Sequence, residues 1–273
     1  MTLKSPKSRL IEGNTVPKVE ILGIEVGDIN PQEAVERTIS LALDRKKSHQ
    51  VVTVNPEFVM LAQRNPAFRN ILNEADLAVA DGTGVVWAKL ILGGKVHERV
   101  TGVDLIRNLC AKSAKKAIRV GFLGGFGDVA EKVAKRQKEA NHLLRVVFAG
   151  PGDPTTGSDL RLKRALSAAG RIDALFVAYG MGQQEFWIRR FMGRVNVGVF
   201  IGVGGAFDYL SKVKMRAPRF MQQFGLEWLW RLIWEPPRIW RMRVLPFFIF
   251  LVLVRWILDI FGKFLKKERF GGN

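Results

Sequence analysis

Five short stretches carry residue types that could do chemistry together. They read Thr53-Val54-Asn55-Pro56-Glu57, Asp81-Gly82-Thr83-Gly84, Gly124-Gly125-Phe126-Gly127, Gly180-Met181-Gly182-Gln183-Gln184-Glu185 and Gly202-Val203-Gly204-Gly205-Ala206. Each follows an apolar run of strand length, and four of the five are rich in glycine. Glycine there lets backbone N–H groups approach phosphate oxygens where a helix begins. The polar members each have an ordinary explanation as well. Asn55 precedes a proline, as do Asn30 and Asn65, which suits a helix cap. Asp81 before Gly82 suits a turn, and Gln184 and Glu185 suit the first turn of a helix. What singles them out is that Thr53, Asn55, Asp81 and Gln184 would converge on one rim. The turn GFLGGFG has the order GxxGGxG rather than GxGxxG, so it is a poor dinucleotide fingerprint. It reads either as a tight strand-to-helix turn or as a nucleotide or diphosphate contact.

The elements that must position these loops are legible as a period. Apolar runs of strand length recur at 19–26, 50–54, 77–80, 118–124, 144–149, 174–180 and 197–204. Helical patterns lie between most of them: PQEAVERTISLALDRKK with Asn30 as cap, DLIRNLCAKSAKK, DVAEKVAKRQKEA and DLRLKRALSAA. Apolar strands alternating with amphipathic helices predict an α/β, Rossmann-like fold, a mostly parallel sheet with helices on both faces. In such folds ligands bind at the carboxyl ends of the strands, where all five stretches fall. The expected division is a flexible basic arm at 1–17, an α/β domain at 18–205, an Arg/Trp-rich helical appendage at 206–243, and an apolar-to-amphipathic membrane-associating helix and tail at 244–273. The N-terminus has no apolar run of signal-peptide type, which places the protein in the cytoplasm.

Charge separates the classes of partner. The formal net charge is +18, and residues 212–273 hold 13 Lys/Arg against 4 Asp/Glu and five of the seven Trp. Basic residues mixed with Trp beside aliphatic runs suit an anionic membrane surface better than a nucleic-acid groove. The eleven residues 244–254 are apolar and uncharged, about 16 Å as a helix. After them Arg255, Asp259, Lys263 and Lys267 recur every four residues as a polar stripe. An oblique interfacial placement is expected, with a spanning helix or packing against protein as the alternatives. The lone cysteine, Cys110, sits in a helical pattern and reads as a core thiol. His49, His97 and His142 are scattered, so no metal site is expected. There is also no Asp-x-Asp, the pair with which many nucleotide-sugar transferases hold a divalent cation. A transferase built on this chain would need cationic side chains instead. Arg216, Arg219, Arg231, Arg238, Arg241 and Arg243 are available for that, or else form a solvated or lipid-facing basic surface.

TVNPEFVMLAQRNPAF, ADLAVADGTGVVWA, RVTGVDLI, GFLGG, the Gly-x-x-x-Gln-Glu turn at 180–185, and GVGGAFDYLSKVKMRAPRFMQQFGLEWLWRLIWEPPR occur in that order. The combination resembles the WecG/TagA/CpsF glycosyltransferases over roughly residues 19–243. The resemblance implies a metal-independent, cofactor-free, inverting transferase. It would move N-acetylmannosamine, its uronic acid or a related sugar from UDP to undecaprenyl-diphosphate-linked N-acetylglucosamine or a similar lipid-linked sugar. It implies Asp81 as catalytic base, with Thr53, Asn55 and Gln184 in the polar pocket. The substrate contacts extend to Gly124, Gly125, Glu185 and Gly204, and to the C-terminal arginines, chiefly Arg216, Arg219, Arg231 and Arg238. The expected setting is the cytoplasmic face of the membrane, peripherally bound, without nucleic acid, and compatible with a homo-oligomer. Two departures stand out. Gly182 occupies a place where the family turn often has proline, and the 244–265 helix extends past the point where many members end. The rival readings are a non-catalytic membrane-surface scaffold of envelope assembly and, prompted by the high pI, a nucleic-acid-binding protein.

Overall fold

Six of the apolar runs become one parallel sheet. The computed structural model describes residues 16–270 except 224, and the side chains at 219, 223, 231, 238 and 262–270 lie outside that description. The strands are β1 (Lys18–Ile21), β2 (Ile24–Gly27), β3 (His49–Val54), β4 (Leu77–Ala80), β5 (Arg119–Gly124), β6 (Arg145–Gly150), β7 (Ile172–Ala178) and β8 (Val197–Gly202). β3 to β8 form the main sheet in the order β4-β3-β8-β7-β5-β6, and every pair in it is parallel. All residues of β3, β7 and β8 are buried, as expected of strands covered on both faces.

The run at 19–26, read as one strand, is two. β1 and β2 form a separate antiparallel hairpin whose two-residue loop is Leu22-Gly23, with φ of 49° and 80°. Positive φ at both loop positions matches the twist of a tight hairpin. The side chains of Ile21, Ile24 and Val26 are fully buried, packed with Val52, Val54 and Phe58, so the hairpin closes one end of the core rather than extending the sheet.

One face of the sheet is covered by the helices Pro31–Leu43, Gly102–Lys116 and Val129–Ala140. The other carries Asp159–Ala168 and Gln183–Phe191, then Pro56–Arg64, Pro66–Asn73 and Thr83–Ile91 beside the hairpin. All three Asn-Pro pairs open helices: Asn30, Asn55 and Asn65 each accept a backbone N–H three residues on, and Asn30 forms a reciprocal capping box with Glu33. Cys110 is fully buried, and burial pushes its thiol far above the ordinary range.

The chain leaves β3 and β7 toward one edge of the sheet and β5 toward the other. That reversal opens a crevice over the carboxyl ends of the strands, the usual ligand position in open α/β sheets.

After β8 the chain runs through short helices at Ala206–Leu210, Arg219–Gln223, Glu227–Trp234 and Ile239–Met242 into one long helix, Val244–Phe270. This last helix is docked. Phe248 and Val252 are 0% exposed and join the core of the Pro56–Arg64 and Thr83–Ile91 side, with Val244 and Leu251 packed against the same cluster. Residues 244, 248, 251 and 252 form one stripe at helical spacing. Phe250 and Phe261, on another face, are exposed, as is Leu258 farther along the helix. The sequence set interfacial placement against packing on protein; the stripe packs on protein, and another apolar face of the helix is left exposed. Ile239–Phe261 contains a window of mean hydropathy 2.3, long and apolar enough to cross a bilayer by composition. Arg255 and Asp259 pair along the helix at 3.2 Å. Lys263 and Lys267, which complete the expected stripe, have side chains outside the described ones.

Candidate active site

A polar cleft of about 480 Å³ lies over the carboxyl ends of β3, β4, β7 and β8. Of the residues singled out in the sequence, Thr53, Asn55, Asp81, Gly125, Gln184 and Gly204 line it together. Gly124, Glu185 and Arg216 do not line it. The side chains of Arg219, Arg231 and Arg238 lie outside the described ones.

Each lining residue is fixed by the strand end it follows. Thr53 is 3% exposed, and its hydroxyl donates to the Gly202 carbonyl at 2.9 Å, tying β3 to β8. Asn55 caps the Pro56–Arg64 helix by accepting the Phe58 N–H at 3.1 Å. The Asp81 N–H donates to the Val54 carbonyl at 2.7 Å, which extends the β3–β4 ladder by one residue and holds the carboxylate on the rim. Gly82 follows at a φ of 99° and opens the helix Thr83–Ile91.

The Gly124-Gly125 turn is governed by packing. Gly124 has φ of 104°, and a Cβ there would stand 2.8 Å from the Ala178 carbonyl oxygen. The Gly125 N–H donates to that same oxygen at 3.0 Å, so it is committed to the fold instead of pointing at a ligand. Gly125 still forms part of the cleft wall, with Phe126 exposed beside it.

Beneath the cleft lies a buried polar relay. Gln184 and Glu185 are both 0% exposed. The Gln184 amide donates to Glu185 at 2.6 Å and accepts the Gly204 N–H at 2.9 Å, while Glu185 accepts the Gly182 N–H at 2.8 Å. One carboxylate thereby orients the glutamine, which in turn holds the Gly204 turn. Burial pushes Glu185 up to about 7 despite the hydrogen bonds from Gln184 and Gly182. A Cβ on Gly202 would stand 2.7 Å from the Gln184 amide nitrogen and 2.9 Å from Glu185, so glycine is what leaves room for the pair.

Of the cations of the cleft, Arg241 was among the arginines expected there and Lys214 was not. Lys214 and Arg241 line it, and both are held by carboxylates. Lys214 bonds Asp208 at 3.0 Å and Glu235 at 2.9 Å; burial opposes its charge, but these two hydrogen bonds outweigh it and raise its pKa. Arg241 bonds Glu57 at 2.6 Å. Arg216, expected to meet substrate, instead makes a two-pronged pair with Asp104. The reason is local: Asp104 sits in the first turn of Gly102–Lys116, facing the segment that carries Arg216. Lys214, Tyr179, Tyr209 and Asp208 also line the cleft and escaped the sequence reading. Tyr179 directly precedes Gly180 at a strand end, a signal that was present; Lys214 in KVKMR offered none beyond its charge. Among the described residues no cluster of three or more His, Cys, Asp or Glu is placed to hold a metal ion.

Asn55 and Asp81 also line a second cavity, an apolar groove of about 580 Å³ bounded by the appendage and by the start of the long helix. Asp81 therefore stands where a polar cleft meets an apolar groove.

This arrangement extends over the whole region matched by one known family. Residues 19–259 match the Glycosyl transferase WecG/TagA/CpsF family. The chain belongs to that family. It is therefore a glycosyltransferase, and the match includes the appendage and the first part of the long helix. It is 35% identical over 211 residues to the N-acetylglucosaminyldiphosphoundecaprenol N-acetyl-β-D-mannosaminyltransferase of Bacillus spizizenii, covering 77% of this chain and 81% of the relative. A protein of the same name from Staphylococcus aureus is 28% identical over 242 residues, covering 88% of this chain and 93% of the relative. In the turn before Gln184, Gly182 has φ of 82°, a conformation closed to proline.

Proposed function

We propose that this glycosyltransferase moves N-acetylmannosamine, or a related amino or uronic sugar, from a UDP-sugar onto undecaprenyl-diphosphate-linked N-acetylglucosamine. The reaction inverts the anomeric centre, needs no metal, and takes place at the cytoplasmic face of the membrane. The observation that carries this reading is the position of Asp81 at the junction of the polar cleft and the apolar groove. A water-soluble donor suits the first and a lipid-linked acceptor the second. The names of the two relatives, each an N-acetylmannosaminyltransferase acting on N-acetylglucosaminyldiphosphoundecaprenol, support the sugar and the acceptor.

In this mechanism Asp81 accepts the proton of the acceptor hydroxyl as that oxygen attacks the anomeric carbon. UDP leaves from the opposite face. Lys214 and Arg241 are the cations at the cleft that stabilise charge developing on the leaving diphosphate. The Gln184–Glu185 relay holds the Gly204 turn that shapes the cleft. The exposed apolar face of Val244–Phe270 rests in the membrane, with its buried stripe on the enzyme.

The test is to incubate purified protein with a panel of UDP-sugars and a short-chain lipid-diphosphate N-acetylglucosamine acceptor, then to read the product and its anomeric configuration by NMR. The expected result is transfer from one donor with inversion. Retention of configuration, or no transfer from any donor, would overturn the reading.

A further inference from the structure

Phe126 is the most exposed large apolar side chain among the described residues, at 94%, and it lines the cleft. It belongs to the turn between β5 and the helix Val129–Ala140. That turn is packed on its inner side. A Cβ on Gly124 would stand 2.8 Å from the Ala178 carbonyl oxygen and 3.1 Å from the Tyr179 ring, and one on Gly125 would stand 3.0 Å from Val129. Gly125 and Gly127, on either side of Phe126, have φ of 76° and 61°, which glycine adopts without strain. The backbone is thus held against β7 while the Phe126 ring stays outside every core cluster. Lone exposed apolar side chains are ordinary on protein surfaces, but this one has a defined place in the cleft. The main sheet runs β4-β3-β8-β7-β5-β6. Asp81 follows β4, Asn55 follows β3, Gly204 follows β8, Tyr179 follows β7 and Phe126 follows β5, and all of them line the cleft. Strand order therefore sets Asp81 and Phe126 on opposite sides of it, four strand spacings or about 19 Å apart.

We propose that Phe126 is the platform on which the base of the sugar-nucleotide donor stacks. The proposal rests on the nucleotide-sugar donor given above and deepens it by naming what holds the base. A nucleotide-sugar is two-ended: the anomeric carbon comes first, then a diphosphate and a ribose, then a flat base. With the anomeric carbon at Asp81, the base falls on the β5 side of the cleft, where Phe126 stands. Stacking there would cover one face of a ring that is otherwise left to water. Every base has such a face, so the contact supplies affinity with little choice among bases. Tyr179, whose ring meets Trp187 edge-on at 5.4 Å, is fixed in the wall beside the turn; Phe126 has no ring partner among the described residues.

The test is calorimetric binding to the whole chain, with no acceptor present. UDP is compared with ribose 5-diphosphate, which keeps the ribose and both phosphates and lacks the base. Phe126→Ala should weaken UDP binding about tenfold, within the range of one base–aromatic stack, and leave ribose 5-diphosphate unchanged. Phe126→Trp should keep UDP affinity at the wild-type level or above it. Because the ring lies outside the core, both variants should keep the wild-type thermal midpoint. Equal losses for the two ligands, undiminished UDP binding by Phe126→Ala, or the same loss in Phe126→Trp as in Phe126→Ala overturns the proposal. CDP and GDP separate this proposal from the choice of donor. A protein that ignores UDP but binds one of them in a Phe126-dependent way would refute the proposed donor while supporting the platform. A wild type that binds no nucleoside diphosphate would overturn both, and UDP binding that is indifferent to Phe126 would overturn the platform alone.

Discussion

Arg216 grips both carboxylate oxygens of Asp104, at 2.9 and 3.0 Å, and so fastens the Arg/Trp-rich segment to the first turn of the Gly102–Lys116 helix. Burial alone would raise the Asp104 pKa, but hydrogen bonds from Arg216 and Thr101 hold it below the usual carboxylate value. Arg216 does not line the cleft, so what this pair does is position the segment. Arg216→Ala should therefore loosen the appendage as a whole. A double-mutant cycle with Asp104→Ala should give a coupling of roughly 1 kcal/mol, discounted from buried-pair values because Asp104 is partly exposed. Additive effects on the urea midpoint would show that the pair is not coupled in solution.

Asp81→Asn should preserve the fold and lower turnover by about 10²–10⁴-fold, the usual worth of general-base help. Its backbone hydrogen bond to Val54 does not depend on the side chain, so the thermal midpoint should hold. A variant with near-native turnover would remove Asp81 from the base role.

Glu185 gives a pH dependence of stability whose sign is fixed. Its folded pKa of about 7 lies above the reference 4.5, so between those values the native state binds more protons than the unfolded chain. Stability therefore falls as pH rises through that window, by about 3 kcal/mol at most. Glu185→Gln mimics the protonated acid and should flatten the slope. The check is urea unfolding of both proteins from pH 4.5 to 8. Parallel curves would show that the carboxyl does not titrate in this window.

Activity should survive EDTA, because the proposed mechanism stabilises the leaving diphosphate with Lys214 and Arg241. Replacing either by Ala should instead lower kcat/KM by about 10–100-fold, in line with the loss of a charge aimed at the transition state. Abolition by EDTA with recovery on adding Mg²⁺ would contradict this.

The long helix should separate stability from membrane binding by face. Phe248→Ala removes a fully buried ring and should cost about 3–5 kcal/mol. Phe250→Ser with Phe261→Ser changes only exposed positions, and should release the protein from vesicles without moving its thermal midpoint. The sequence alone suggests that truncation after residue 243 would leave a folded core, but such a cut would strip Phe248 and Val252 from the core cluster that includes Phe58 and Val85. Co-sedimentation and thermal unfolding of the same variants distinguish the two faces.

The parallel sheet and the rim of Thr53, Asn55, Asp81 and Gln184 were legible because apolar runs and the strand-end rule are both local in sequence. The hairpin at 19–26 was not, since Leu22 is no turn residue and the single Gly23 is the only turn signal in VEILGIEV. The ion pairs of the cleft were hidden for another reason: Arg241 and Glu57 are 184 residues apart, and nothing local marks one as the other's partner. The docked stripe of the last helix was equally invisible. In 244–254 every position is apolar, so the sequence has no polar side from which to infer a face.

That stripe has a geometric consequence. A helix bolted to the domain through Phe248 and Val252 is a keel, with no hinge between its exposed apolar side and the part that carries Asp81. Under the proposed reaction, the depth of Asp81 above the lipid plane is then a fixed length, and it acts as a ruler. An acceptor bearing one sugar beyond its diphosphate brings a hydroxyl level with the base; once a second sugar is added, the new terminus overshoots it. Rigid docking would thus make the enzyme add a single unit and stop, handing the product to whatever acts farther from the surface.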